Sequence, residues 1–404
     1  MHRTLAVVFV FAIGPFVAAE TVTTRCATET LRLAAEHTSE PVDVRRIGTC
    51  SDDQPGNALW FLDRLDSIDG SLDGHFARTG ANALVYVLDT GVEINHDEFA
   101  YGNVIAGIDV ERELFGSGSC GSTNEALHPC FDLTSPATVL ANSHGTGVAS
   151  LIGGRRVGVA PGVRIISVNA LGLPEGANWL AVFKAVIRTA WDPSTPNVRT
   201  AIINMSAQLS GDPKAGDVPY SQLEQKIRDM VGGVDRNGNP DPNGKRFLFV
   251  IAGGNSGPTG PNGGLGQCDA KNQVHLFPAT LGPSIAGLIT VGGIGKDNKL
   301  WINSCRGPAL ELLAPAEDMM PAMNSGHDHY RLTFSSGTSY SAPIVSGAAA
   351  QILSREPNLT PAEVEQRLEA TPSFIVDAPE GSAGGKGVYV VFPPEPRRRA
   401  VGVR

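Results

Sequence analysis

The chain of 404 residues carries 32 Lys+Arg against 41 Asp+Glu, a formal net charge of −9 that excludes nucleic acid and anionic membrane as natural partners. Its 42% hydrophobic content supports a large core and excludes disorder or a coiled coil, while 6% aromatic residues argue against a stacking platform for single-stranded nucleic acid. The 47 glycines suit tight helix-on-sheet packing with many turns, in one large domain or two ordinary ones.

The N-terminus reads as an address. Met1-His2-Arg3, an apolar run from Leu5 to Val17 and the small Ala18-Ala19 follow the order of a secretory signal peptide, assigned to residues 1–19. The run is broken by Gly14-Pro15, and no later stretch reaches about 18 uninterrupted apolar residues. The expectation is a secreted, extracellular protein with no membrane segment in its mature form. Export changes the meaning of Cys26, Cys50, Cys120, Cys130, Cys268 and Cys305. They contain no C-x-x-C, which disfavours a zinc knuckle or thioredoxin-type site, and an even count in an oxidising compartment suggests disulfides. The expected pairs are Cys26–Cys50, Cys120–Cys130 and Cys268–Cys305, the first two from proximity in sequence alone.

Residues 20–52 are polar and mixed, with a short helix expected over Glu29–Glu36. From Leu59 onward, short apolar runs alternate with helical stretches. Ala83–Leu88 is a continuous apolar run ending in Asp89-Thr90-Gly91, the pattern of a buried parallel strand feeding a turn. Similar runs occur at Arg164–Val168, Thr200–Met205, Phe247–Ala252 and Leu288–Val291. Helices are predicted over His144–Ile152, Trp179–Thr189, Tyr220–Val231, Ser339–Leu353 and Pro361–Leu368. This alternation predicts an α/β fold, a mostly parallel central sheet with helices on both faces. The tail from Thr371 is rich in Pro and Gly and ends in Arg397-Arg398-Arg399, as a loosely packed or processed end would.

Three segments place polar residues where packing alone would favour apolar ones. They are Asp89-Thr90-Gly91 at a strand end, Asn142-Ser143-His144-Gly145-Thr146-Gly147 opening a helix, and Ser335-Ser336-Gly337-Thr338-Ser339-Tyr340-Ser341-Ala342-Pro343 opening another. Each alone has a structural reading, as a turn, a helix start or an N-cap. Together they supply the parts of an acyl-transfer triad: a hydroxyl is a poor nucleophile until an imidazole takes its proton, and a carboxylate sets that imidazole's tautomer. None of the nine histidines follows Ser339, which excludes the Ser–acid–His order of an α/β-hydrolase. A chymotrypsin-like order would need His before Asp. Asp89, His144, Ser339 is the subtilisin order.

With Ile251-Ala252-Gly253-Gly254-Asn255, His96-Asp97-Glu98-Phe99 and Trp60-Phe61-Leu62-Asp63-Arg64-Leu65 added to these motifs, the chain resembles a subtilase, a subtilisin-like serine endopeptidase of the proteinase K type, over roughly Leu59–Leu368. The resemblance implies a three-layer sandwich, with Ser339 as nucleophile, His144 as general base and Asp89 as its orienting carboxylate. It also implies that Asn255 supplies the side-chain amide of the oxyanion hole. Glu175, Gly176 and Ala177 align with one wall of the family's cleft, Ser206, Ala207 and Gln208 with the other, and Ala252, Gly253 and Gly254 with the first specificity pocket. Gln208 stands where the family carries Gly, so a narrowed or polarised pocket and an altered cleavage preference are expected. Gly147 replaces a second His common in the motif, and Tyr340 replaces a common Met; neither change touches the triad.

The implied function is secreted hydrolysis of peptide bonds through an acyl-enzyme, on protein or peptide substrates, by a monomer needing no cofactor for catalysis. Asp235, Asn237, Asn239 and Asp241 space oxygen side chains like part of a calcium loop but lack the bidentate Glu, which leaves structural calcium open and favours a plain turn. His327-Asp328-His329 lacks a third metal ligand. The Asn358-Leu359-Thr360 sequon lies between helices; the one at Asn204 sits at a buried strand end. Since Asp89 and Ser339 must meet, residues 53–375 form one catalytic domain, followed by a tail over 376–404. Residues 20–52 are too few for a propeptide with its own core and are assigned to an N-terminal extension, expected to stay attached, or a short propeptide. Two alternatives share the fold: a catalytically silent binding protein, and an esterase or amidase using the same triad.

Overall fold

The computed structural model describes residues 59–65, 82–94, 96–99, 103–109, 144–170, 177–209, 219–256, 267–323 and 335–370, with two-residue strands at Val42–Asp43 (β1) and His75–Phe76 (β2). The signal peptide, the helix over Glu29–Glu36, the pairs Cys26–Cys50 and Cys120–Cys130, Glu175, Gly176, His327–His329 and the tail lie outside the described residues.

Seven strands form the central sheet: β3 (Leu84–Asp89), β4 (Val104–Asp109), β5 (Arg164–Asn169), β6 (Thr200–Met205), β7 (Arg246–Ala252), β8 (Leu288–Ile294) and β9 (Leu312–Pro315). Their spatial order is β4-β5-β3-β6-β7-β8-β9, with every neighbouring pair parallel. All carboxyl ends therefore emerge on one edge. The chain leaves the centre in both directions from β3, which opens a crevice at that edge.

The central strands are predominantly apolar because both faces are covered. Val85 and Val87 join one core, and Leu84, Tyr86 and Leu88 join the other. The first core is closed by α2 (His144–Gly153), α5 (Thr338–Arg355) and α6 (Pro361–Ala370), through residues such as Leu151, Val345 and Leu368. The second is closed by α3 (Ala177–Ala190) and α4 (Tyr220–Gly232), through Phe183, Val186, Leu223 and Ile227. The short helix α1 (Trp60–Asp63) packs Trp60 and Phe61 into the first core. The result is the expected three-layer sandwich. Helices α3 and α4 present one apolar stripe each, whereas α5 is buried along nearly its whole length.

Two further features hold the frame. Buried Glu98, in the turn Asp97–Phe99, accepts bonds from Arg156 Nε, from Arg156 N at 3.0 Å and from Val157 N at 3.3 Å. Burial alone would raise its pKa, but the Arg156 guanidinium outweighs it and holds the carboxyl low, so the pair clamps the segment leaving α2. The expected Cys268–Cys305 disulfide is present.

Near the amino ends of β8 and β9, Glu311 Oε2 accepts Thr290 N at 3.0 Å and Glu365 of α6 accepts Gly287 N. The two carboxyls hydrogen-bond each other, and burial, with Glu365 and Glu369 nearby, pushes Glu311 up to about 8. An acid with a raised native pKa contributes stability below its ordinary value, and loses it as pH rises through the native value. Glu311→Gln removes this titration. Between about pH 5 and about pH 9 its stability is expected to improve relative to wild type by about 1–3 kcal/mol, read from thermal melts at each pH.

Candidate active site

The site is assembled on the carboxyl edge from segments distant in sequence. Asp89 is the last residue of β3 and fully buried. Thr90 N donates to its Oδ1 at 2.7 Å. His144 is the first residue of α2, and its Nδ1 lies 2.8 Å from Asp89 Oδ1 and 2.9 Å from Oδ2. Because a carboxylate only accepts, Nδ1 carries the proton and Nε2 is left as the basic nitrogen. Desolvation by burial pulls the imidazole's pKa down, but the charge and hydrogen bond of Asp89 outweigh it, so the net shift is upward. The approach is close enough that a Cβ on Gly145 would fall 2.2 Å from Gly91 O. Gly145 N also donates to Thr90 Oγ1 at 3.1 Å, which ties the helix start to the Asp89 turn.

Ser339 is the second residue of α5, half-buried, and its Oγ donates a long 3.4 Å bond to Ser206 O. At the first turn of a helix its backbone N–H has no intrahelical partner and points with the positive end of the helix dipole. Asn255 follows β7, and its Oδ1 accepts both Thr338 N and Thr338 Oγ1 at 2.9 Å. With the amide oxygen so engaged, Nδ2 faces the Gly337 side, 3.7 Å from where a Cβ of Gly337 would stand. Asn255 Nδ2 and the Ser339 N–H thus form a pair of donors beside the hydroxyl, the arrangement that stabilises a developing oxyanion. Thr338, fully buried, orients that amide and also accepts Gly254 N at 3.1 Å.

Ser206 brings its backbone carbonyl to the Ser339 hydroxyl and turns its side chain inward: it is 4% exposed, and its Oγ donates to Ser339 O at 2.8 Å. Pro343 lies inside α5, four residues after Ser339, and has no N–H to donate to that carbonyl. The Ser206 hydroxyl replaces the missing bond. It is held in turn by Asn204 Nδ2 at 3.1 Å, whose Oδ1 accepts Ser346 Oγ at 2.9 Å. The sequon at Asn204 is fully buried, as expected, and its side chain is used in this chain of bonds.

Of the other predicted residues, Ala177 opens α3, Ala207 is half-buried beside Gln208, and Ala252, Gly253 and Gly254 run from the end of β7 into the site. Residues Asp235–Asp241 form a turn outside the site. Asp235 Oδ1 accepts Asn237 N and Asn239 N at 2.8 Å, and bonds led by that of Asn239 hold its carboxyl low. Asp241 caps Asn243 N at 2.9 Å, so the carboxylates serve their own backbone as a turn does. Among the described residues no group of three or more His, Cys, Asp and Glu side chains gathers as a metal site. The motifs pointed to neither the orienting role of Thr338 nor that of Asn204, and Tyr340 has more to do than replace Met. Its ring lies 5.9 Å from that of His144, tilted by 40°, flanking the imidazole.

This architecture and this geometry define a class, and comparison with known proteins agrees. Residues 80–387 match the subtilase family. The chain is 28% identical over 327 residues to an extracellular serine proteinase of Thermus sp. (strain Rt41A), covering 80% of this chain and 63% of that one. It is 29% identical over 333 residues to subtilisin-like protease 3 of Pseudogymnoascus destructans, covering 79% and 66%. A crystal structure of a cold adapted subtilisin-like serine proteinase superposes with a TM-score of 0.57 at 25% identity, covering 83% of this chain and 98% of that one. The chain belongs to the subtilase family. It spans less than two thirds of the length of those two relatives.

Proposed function

We propose that the protein is a secreted serine endopeptidase that hydrolyses peptide bonds through an acyl-enzyme. The observation that carries this reading is the Asp89–His144 pair, whose imidazole lies 5.9 Å from the Tyr340 ring in the helix start that bears Ser339, with Asn255 bonded to the preceding Thr338. In the state described, the Ser339 hydroxyl rests on Ser206 O; catalysis requires it to turn to His144 Nε2. Nε2 then takes the proton as Oγ attacks the scissile carbonyl. The carbonyl oxygen gains negative charge, received by Asn255 Nδ2 and the Ser339 N–H. The imidazolium, stabilised by Asp89, returns the proton to the departing amine. Water repeats the sequence in reverse roles and frees Ser339.

An extended peptide would add along the backbone edges of the cleft, which suits protein or peptide substrates. Export is supported by the apolar N-terminal run and by a relative whose name is extracellular. Among the described residues no helix is long and apolar enough to cross a membrane.

The test is hydrolysis of casein by the purified protein together with labelling by a serine-directed phosphonylating reagent. Cleavage, with the label mapped to Ser339 and activity lost in proportion, is the expected result. A folded protein that neither cleaves nor takes the label would be a silent subtilase-fold binding protein instead.

A further inference from the structure

Asp89 does not by itself fix the plane of the His144 ring. Nδ1 lies 2.8 Å from Oδ1 and 2.9 Å from Oδ2, so the two oxygens share one N–H and neither defines a single line for it. A ring held through one edge can still rock about that edge. Nε2, on the opposite edge, then travels furthest, and it is the atom that must meet the Ser339 hydroxyl. A second constraint has to bear on the ring from beside it.

Tyr340 offers a fixed surface there. Its ring centroid is 5.9 Å from that of His144 with the planes inclined by 40°, within the range of interacting aromatic pairs. The side chain is anchored at both ends. Tyr340 N donates to Gly337 O at 2.9 Å, and the phenol shares a hydrogen bond with the side chain of Ser335. Ser335 is tied in turn to Met319, its N donating at 2.8 Å and its O accepting at 2.7 Å. Burial pushes the phenol up, against the bond from Ser335 and with the charge of Asp89, so the hydroxyl stays protonated. The ring also meets α2: a Cβ on Gly147 would stand 3.5 Å from Tyr340 Cε1. Gly147 follows His144 by three residues, on the same face of the helix, and without a side chain it leaves the ring its place. The Gly and the Tyr, two departures from the family's motifs, thus meet in one contact. A Met at 340 has three rotatable bonds and no hydroxyl to tether.

Resting on the proposed peptidase reading, in which His144 is the base, we propose that Tyr340 is a positioning residue: its ring, anchored through the hydroxyl to Ser335, limits the rocking of the His144 imidazole and confines Nε2 to the space that the Ser339 hydroxyl can reach. Wild type, Tyr340→Leu and Tyr340→Phe are compared on one peptide and with the serine-directed phosphonylating reagent. Tyr340→Leu removes the ring, and kcat is expected to fall about 10–100-fold with KM and the thermal melt close to those of wild type. Tyr340→Phe keeps the ring and loses the tether, so a smaller loss of about 3–10-fold is expected. Ser335→Ala breaks the same tether from outside the site and should match Tyr340→Phe, with no further loss when the two are combined. Phosphonylation needs the imidazole but no peptide, so its rate should fall in the same ratio as kcat. Unchanged kcat and labelling in Tyr340→Leu, or a loss confined to KM, would overturn the inference. If Tyr340→Leu does not fold, an unchanged labelling rate in both Tyr340→Phe and Ser335→Ala overturns it instead. A wild type that takes the label at Ser339 yet cleaves no peptide refutes the peptidase reading alone, and the labelling rates still decide the role of Tyr340.

Discussion

Ser339→Ala is expected to lower kcat for peptide hydrolysis by about 10⁶-fold while the thermal melt stays close to that of wild type. The size of the loss follows from its place in the scheme: without Oγ there is no acyl-enzyme, and the His144 imidazole, held by Asp89, has no hydroxyl proton to take. What remains is the pair of oxyanion donors and substrate binding, worth about 10³–10⁴ over water. The fold should tolerate the change, because the side chain makes a single long bond at 3.4 Å to Ser206 O. The bond that matters to the helix runs the other way, from Ser206 Oγ to the Ser339 carbonyl, and Ala keeps that carbonyl. Comparing kcat and the melt of the two purified proteins makes the check. Unaltered hydrolysis in the variant would mean that another group is the nucleophile.

The second large effect is expected at Asp89→Asn, about 10⁴-fold in kcat. Thr90 N donates to Asp89 Oδ1 at 2.7 Å, so the amide oxygen of an Asn would be drawn to that donor. Its NH₂ would then face His144 Nδ1 and force the ring proton onto Nε2, the tautomer that takes no proton from Ser339. The pH profile should move as well. In wild type Asp89 raises the imidazole above its ordinary value, and since the neutral ring is the base, kcat/KM falls as pH drops through that raised value. In the variant burial acts without the opposing charge, so the acidic limb should shift to lower pH. An acidic limb that stays in place would show that Asp89 does not govern His144.

The elements that position the site were legible in the sequence where their environment is uniform. Strands β3, β5, β6, β7 and β8 are predominantly apolar because both faces are covered, and their runs were found within a few residues of their true ends. Edge strands β4 and β9 escaped notice. Val104–Asp109 contains Gly107 and ends on a carboxylate, and Leu312–Pro315 is only four residues closed by Pro, so neither shows a strand's pattern. The site divides in the same way. Asp89, His144, Ser339 and Asn255 stood out because each sits in a local motif at a strand end or helix start. The roles of Ser206 and Asn204 depend on hydrogen bonds to residues 133 and 142 positions away, which no local pattern encodes. Gln208 was visible as a departure from a Gly, but the direction of its amide is dictated by Ala252 O, 44 residues further on.

Helix α5 carries Ser339, the proposed nucleophile, at one end and has Ser346, Gly347, Ala348, Ala349, Ala350 and Gln351 fully or almost fully enclosed. An element surrounded on all sides opens only when the whole domain opens, so its amides belong to the slowest class of hydrogen exchange. If the proposed peptidase activity holds, the protein's own unfolded chains would be substrate, and survival would be coupled to catalysis. A molecule that frays at the surface keeps its site and resists its neighbours, whereas one that loses the site has already become food for them. The lifetime of such a preparation is then governed by the rate of global unfolding rather than by the wear of any exposed loop.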